Sequence, residues 1–478
     1  MAESVSRARA ASARRPVHVI DVVGLTPRLL EHMPSLRRVS ERGFGARLDP
    51  VFPAVTTSVQ SSMLTGLHPK DHGIVGNGWF FRDLAEVHFW KQNNGLVAGE
   101  KLWHAAHKSD PDYSIGNLCW WYAMGMEIDT VLTPRPMFHY DGSVQPDIYT
   151  RPDDLRVDLQ KALGTFPLPE FWSPLSNIKP SRWLVDAALR MLERRPHDMM
   201  LLYIPHLDYD LQRYGADGPE AIAAARELDA VLAPLIDALV DRDHHIVIVS
   251  EYGLTSVGRP VDINRALRRE GLLNVYSQHG KEFFDPHTSA ALAVADHQAA
   301  HVYVRDPAVL DRVRSIIGEL PGVDEVLDRT QQAKYHIDHE RAGELVAIAE
   351  PDAWFTYYYW LDDDRAPDWA QCMDFFKKPG YDPAELFFDP ADPLVKVKGL
   401  YQLARMKLGM RAGFNVVPLD PSCVGGSHGR LPDRPEDGPV VLCSDARFEQ
   451  PSFHATEIKN LLLRVAGLPV SDTARKDT

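Results

Sequence analysis

Apolar and polar positions run in blocks along this chain, and the blocks change period. His18 to Val23 (HVIDVV) is a short β-branched run closed by Gly24, which predicts a buried first strand. TPRLLEHMPSLRRVSERG follows, with leucines near helical spacing and a glycine stop. Thr57 to Leu64 reads as the first turns of a second helix, entered from Phe52-Pro53. Regular alternation resumes later. RWLVDAALRMLERR and GPEAIAAARELDAVLAPLIDALVDR predict helices, and DMMLLYI and HHIVIVS predict strands. VDINRALRREG and PAVLDRVRSIIGEL add helices, while SAALAVADHQAAHVYV and GELVAIAE read as strands. Strand and helix patterns taking turns predict an α/β fold: a mostly parallel sheet sandwiched by helices.

Residues 86–180 have a different texture. NLCWWYAMG, LTPRPMFHYDG and TFPLPEFWSPLSN are rich in Trp, Pro and Asp, with few long regular elements. This predicts an inserted, loop-rich cap or lid. Residues 350–415 are again aromatic and Pro-rich. The expected organisation is a disordered tail over 1–15, a core over 16–85 and 181–465, the cap over 86–180, and a flexible tail over 466–478.

Composition narrows the function. The chain has 478 residues, 45% hydrophobic and 25% charged, which is a globular balance. A net charge of −14 makes a nucleic-acid polymer an unfavourable partner, while a small phosphorylated substrate stays open because a local site can oppose the overall field. The four cysteines (Cys119, Cys372, Cys423, Cys443) form no zinc knuckle and no CxxC pair. Free thiols in a reducing cytoplasm are the simplest expectation. No run of 18 apolar residues occurs, so no membrane partner is expected. Oligomeric state is not legible.

In open α/β sheets, ligands sit beyond the carboxyl ends of the strands. That filter selects Asp208 after LLYIPHL, and Glu251 and Tyr252 after HIVIVS. His428 lies on a Gly-rich loop, GGSHG, where backbone can approach a ligand closely. His297 and His301 in ADHQAAHVYV lie four apart. On a strand they share one face, with His297 the functional candidate and His301 structural. Trp79, Trp90, Trp120 and Trp121 suit either core packing or a ring-binding pocket.

The stretch FPAVTTSVQSSMLTGLHPKDHGIVGN, with DYDLQRYGADGP, VSEYGL and GGSHG, resembles the type I phosphodiesterase/nucleotide pyrophosphatase family of the alkaline phosphatase superfamily. The resemblance implies an alkaline-phosphatase-like fold and a hydrolase of phosphodiester or pyrophosphate bonds. It also implies a threonine nucleophile at a helix start and a pair of zinc ions that activate it. Asn77 stands 21 residues after Thr56, the spacing the family uses for oxyanion binding, and this selects Thr56 over Thr57 as the nucleophile.

The implied metal positions are only partly kept. Asp208, His428 and the longer Glu251 remain, with His297 as a further candidate ligand. Val23, Gln212 and Tyr252 replace an aspartate and two histidines, and Asp21 lies two residues before the first of these positions. Gln212, Tyr252 and His206 are then candidates for substrate contact. A divalent metal is implied, with zinc first and manganese or magnesium as alternatives, and a metal-free centre is left open. The alternative function is a divergent member whose metal centre is lost or rebuilt, catalysing another reaction or only binding a phosphorylated ligand.

Overall fold

The computed structural model describes residues 15–373, 378–410 and 413–470. The expected tail over 1–15 lies outside them except for Arg15; of the tail over 466–478, residues 466–470 are described, with Leu468 and Val470 packed against the core.

The large sheet is built from β1 (Val17–Val22), β2 (Phe44–Asp49), β3 (Ile115–Leu118), β4 (Thr130–Pro134), β5 (Ile148–Arg151), β6 (Met199–Ile204) and β7 (His245–Val249). A second sheet holds β8 (Ala291–Asp296), β9 (Ala299–Val304), β10 (Val323–Leu327) and β11 (Leu345–Ala349). The chain then returns to the first sheet with β12 (Val440–Cys443) and β13 (Ser452–His454). The large sheet runs β13-β2-β12-β7-β1-β6-β3-β4-β5 and the second β8-β9-β11-β10.

The centre of the large sheet is parallel, because helical crossovers join its strands. β1 pairs in parallel with both β6 and β7, and β6 with β3. β12 and β5 enter antiparallel, so the sheet is mixed. β1, β6 and β7 are buried along their whole length, which is why they read as continuous apolar runs. Their carboxyl ends lie side by side, with Asp21 in register with Tyr203 and Val249.

Two expectations change. β3, β4 and β5 lie inside residues 86–180 yet extend the large sheet, so that stretch is not a cap set apart from the core. These strands are short and flanked by Trp and Pro, which hid them. The second sheet is antiparallel and gathers its own apolar cluster, although it falls within the range expected for the core. SAALAVADHQAAHVYV is a hairpin rather than one strand, and it turns at His297, whose φ is +60°.

The helices that set the site are α1 (Thr56–Thr65), α2 (Lys179–Arg194), α3 (His206–Tyr214), α4 (Pro219–Asp241) and α5 (Val395–Lys407). α1 is buried at all ten positions despite its polar sequence, TTSVQSSMLT. Burial is tolerated because its hydroxyls find partners. Thr57 donates to Gly76 O (2.8 Å), Ser58 to Ile74 O (3.0 Å) and Thr65 to Ser61 O (2.6 Å), while Ser62 meets His72 (2.9 Å). Gly66 ends the helix in the left-handed region, φ +74°, where a side chain is disfavoured.

Candidate active site

Thr56 opens α1 and points beyond the β1 end of the sheet, where the helix N-terminus favours an anion. Its hydroxyl lies 3.2 Å from Tyr252 Oη, and Tyr252 donates onward to Asp208 Oδ1 at 3.4 Å. The loops after β6 and β7 bring these groups together. Burial raises the Asp208 carboxyl to about 7 and holds the Tyr252 phenol protonated, well above its ordinary value. With the Tyr252 hydrogen on Asp208, its oxygen is free to accept from Thr56, whose hydroxyl is also within hydrogen-bond reach of Glu251. Both contacts are long, as catalytic hydrogen bonds often are before substrate binds.

Behind Thr56 lies a second set of carboxyls. Gln60, one turn into α1, donates through Nε2 to Asp21 Oδ2 (2.9 Å) and to Glu251 Oε1 (2.7 Å). Its Oε1 accepts from the Trp121 backbone N–H (2.8 Å), which fixes the orientation of the amide. Asp21 and Glu251 are fully buried. Desolvation pushes Asp21 up to about 7, and desolvation with repulsion from Asp21 pushes Glu251 well above its ordinary value. The proton they hold lessens the cost of placing two carboxyls side by side.

Asn77 is held from several directions. Its Oδ1 accepts from Thr57 N (3.0 Å), which caps the first turn of α1. Its Nδ2 donates to Asp296 Oδ1 (3.1 Å) and to Tyr381 Oη (3.1 Å). Both amide hydrogens are therefore engaged, and Tyr381, itself buried, also donates to Asp296 Oδ1 at 3.3 Å. Asp296, raised to about 6 by burial, also accepts from Asn77 N at 2.7 Å. Tyr381 Oη meets His297 Nε2 at 2.9 Å.

His428 donates through Nδ1 to Ala54 O (2.9 Å). Its ring is clamped between Tyr252, stacked at 3.7 Å with planes 4° apart, and His297 at 3.9 Å. Burial lowers His428 to about 3, so the imidazole is neutral and serves as a wall rather than as an acid. His301 is structural as expected: it lies on β9, with Nε2 at 2.8 Å from Val75 O.

Of the candidate residues, Thr56, Asn77, Asp208, Tyr252, His297 and His428 line one cavity. Glu251 sits behind it against Gln60, and Gln212 is turned onto Asp208 Oδ2 (Nε2 to Oδ2, 2.6 Å). His206 is placed elsewhere, with its Nε2 3.4 Å from Glu227 on α4, and does not line the cavity. Trp90 and Trp121 form part of the wall, whereas Trp79 and Trp120 are core. Sequence reasoning missed Gln60, Asp296, Trp172 and Tyr381. Gln60 could have been found, since it lies one helical turn after Thr56 and so on the same face.

The cavity is narrow, about 50 Å³, and aromatic, with Trp90, Trp121, Phe171, Trp172, Tyr209 and Tyr381 around it. Among the described residues no Lys or Arg lines it. Trp172 Nε1 donates to Glu385 Oε2 (2.9 Å), and buried Lys378 donates to Glu385 Oε1 (2.8 Å). These bonds tie the Trp172 segment to the loop that carries Tyr381.

The residues present do not fit the expected pair of zinc ions. The amide nitrogen of Gln60 fills the space between Asp21 and Glu251, and an N–H group there offers no lone pair to a metal. Gln212 and Tyr252 likewise direct donors at Asp208, while Tyr252 covers the face of His428. Asp208, Glu251, His428 and His297, expected as ligands, make no joint set. Among the described residues no group of three or more His, Cys, Asp or Glu is placed to hold a metal ion.

Comparison with known proteins agrees with the fold. Murine ectonucleotide pyrophosphatase/phosphodiesterase 5 superposes with a TM-score of 0.58 at 14% identity, covering 96% of each chain. Phosphonoacetate hydrolase from Sinorhizobium meliloti 1021, in complex with phosphonoformate, superposes with a TM-score of 0.60 at 17% identity, covering 95% of this chain and 96% of that one. Both are alkaline phosphatase superfamily folds. In sequence, a pyrophosphatase/phosphodiesterase of Schizosaccharomyces pombe is 24% identical over 255 residues, 51% of this chain and 44% of its own length. Human ectonucleotide pyrophosphatase/phosphodiesterase family member 1 is 24% identical over 233 residues, 46% of this chain and 21% of its own length. The chain thus matches less than half the length of these relatives. The profile of the type I phosphodiesterase / nucleotide pyrophosphatase family matches residues 17–382, most of the chain and all the strand ends that frame Thr56, and the chain belongs to that family.

Proposed function

We propose that the protein is a hydrolase of phosphodiester or pyrophosphate bonds in which Thr56 is the nucleophile. The observation that carries this reading is the run Thr56 Oγ1–Tyr252 Oη–Asp208 at the mouth of a helix, inside an aromatic cavity. Thr56 Oγ1 bonds to phosphorus as the bond to the leaving oxygen breaks, and its proton passes through Tyr252 to Asp208. Water then bonds to the phosphorus of the resulting Thr56 diester as the bond to Oγ1 breaks, Oγ1 regains a proton, and a phosphomonoester leaves. The N-terminus of α1 and the Nδ2 of Asn77, once Tyr381 has moved, meet the charge that develops on the phosphoryl oxygens.

The lining favours a diester. A buried dianion with no Lys or Arg beside it carries a large desolvation cost, and a phosphodiester brings a single charge. The aromatic wall suits a flat or apolar leaving group. Among the described residues no ligand set for the divalent metal typical of the family is placed, and no step is routed through one.

The test is hydrolysis of bis-p-nitrophenyl phosphate and dinucleotide substrates by the parent and by Thr56→Ala, with mass spectrometry of acid-quenched parent. Expected are turnover by the parent, loss of about 10³-fold or more in the variant, and on Thr56 the p-nitrophenyl phosphate ester (or, from a dinucleotide, the nucleotidyl ester). Equal rates for the two proteins would remove Thr56 from the chemistry. The filled carboxylate positions favour a second reading, in which the site binds a phosphorylated ligand without turning it over. Ligand-induced stabilisation by AMP with no hydrolysis would select it.

A further inference from the structure

We infer that α5 is a docking surface for an anionic lipid bilayer, on which the protein rests without being spanned into it. The helix runs Val395–Lys407 and is followed by Leu408, Gly409 and Met410. Val395 and Gly399 face inward, where a Cβ on Gly399 would meet Phe388 at 3.8 Å and Val416 at 3.9 Å. The opposite face is apolar and open. Leu394, Val397, Tyr401 and Leu408 follow one another at helical spacing, with Leu400 beside them. They are 58%, 62%, 61%, 75% and 67% exposed in that order. No other part of the described surface gathers so many large exposed apolar side chains.

The charges around this stripe decide what it fits. Lys396 and Lys407 fall on one flank and Lys398 and Arg405 on the other, each within a helical turn of the apolar row. Lys398 pairs with Asp392, which precedes the helix, and the Arg405 guanidinium lies 5.7 Å from the Tyr401 ring centre. No Asp or Glu occurs from Pro393 to Met410, in a chain of net charge −14. An acidic body is repelled by an anionic surface, so contact must be made through this local basic strip, which fixes the orientation of docking. Apolar residues enter the acyl boundary while the long basic side chains reach back to the headgroups. A second copy of the chain is a poorer occupant, since helix against helix sets these lysines against their own kind.

The expectation of no membrane partner rested on the lack of a spanning segment. No described helix is long and apolar enough to cross a membrane, and lying on a surface needs no such helix. The segment beneath α5 also reaches the active site: Pro174 and Leu175 line the apolar groove under the helix, and Phe171 and Trp172 line the catalytic cavity. The proposal does not depend on the catalytic reading.

The test is flotation of the full chain with two vesicle types, phosphatidylcholine alone and phosphatidylcholine mixed with phosphatidylglycerol. The parent should float with the anionic vesicles only, and added salt should weaken it. Leu400→Glu combined with Leu408→Glu should lower the bound fraction about tenfold, and Lys396→Gln with Lys407→Gln should lower it on anionic vesicles. All four positions are exposed, so the variants should melt like the parent. A parent that stays with the unbound protein, or a Leu400→Glu/Leu408→Glu protein that floats as well as the parent, would overturn the proposal. Concentration-dependent dimerisation without lipid, lost in the same variant, would give the stripe to a second copy instead.

Discussion

Gln60 is the residue that most changes how this site works. A neutral amide holds two carboxyls together from inside the helix that presents Thr56, the proposed nucleophile, where the family resemblance implies a cation. Tyr252 alters the site in a second way, because a phenol links Thr56 to Asp208 where the family resemblance implies an imidazole, and in the proposed mechanism it carries the proton. Tyr381 is the residue that closes the site. It occupies one of the two Asn77 amide hydrogens and narrows the cavity. Tyr381→Phe should free that hydrogen for substrate. The expected outcome is a KM lower by about 3- to 10-fold with kcat little changed, read by steady-state kinetics. A raised KM would mean that the Tyr381 hydroxyl binds substrate itself. Thr56 and Asn77 were legible because their spacing lies within one continuous motif. Tyr381 was not, because its partners Asn77 and His297 are 304 and 84 residues away.

At the level of elements, β1, β6 and β7 were readable because strands buried on both faces carry unbroken apolar runs. The hairpin β8–β9 was read as one strand because its two-residue turn, His297-Gln298, is short beside the apolar runs around it. α5 was passed over inside a Pro-rich stretch, although its apolar residues already recur at helical spacing. The loop from Lys378 to Leu386 is pinned by buried charge, and this makes stability depend on pH. Burial, with Glu385 nearby, raises Asp382 to about 7. Between about pH 4 and pH 7 the folded carboxyl keeps a proton that the unfolded one has released, so stability falls as pH rises through that window. Asp382→Asn removes this slope and still accepts from Ala384 N. Relative to the parent, the variant should gain stability from about pH 5 to pH 8 in urea denaturation. A difference that does not change with pH would show that Asp382 is ionised in the fold.

For the whole molecule, the donor set makes a prediction that sets this chain apart from its family. Dialysis against a chelator should leave both the melting temperature and the turnover unchanged, and elemental analysis should find metal well below one atom per chain. Activity lost to the chelator and restored by zinc would put a metal centre back among these residues. The fold class was legible from the order of strand and helix patterns. The division into units was not, because the large sheet takes strands from three separate stretches and short strands carry little pattern.

The strand order has a further consequence, in time rather than in space. β2 is made early, from residues 44–49, but its two neighbours in the sheet are β12 and β13, made from residues 440–454. While the chain is being synthesised, β2 has no native strand to pair with until nearly all of it has left the ribosome. An unpaired strand kept waiting so long is open to wrong partners. His428 also arrives late, so Thr56 exists in the nascent chain well before this wall of its pocket. A chain truncated ahead of Val440 would keep Thr56, Tyr252 and Asp208 and lose the order that keeps β2 from aggregating.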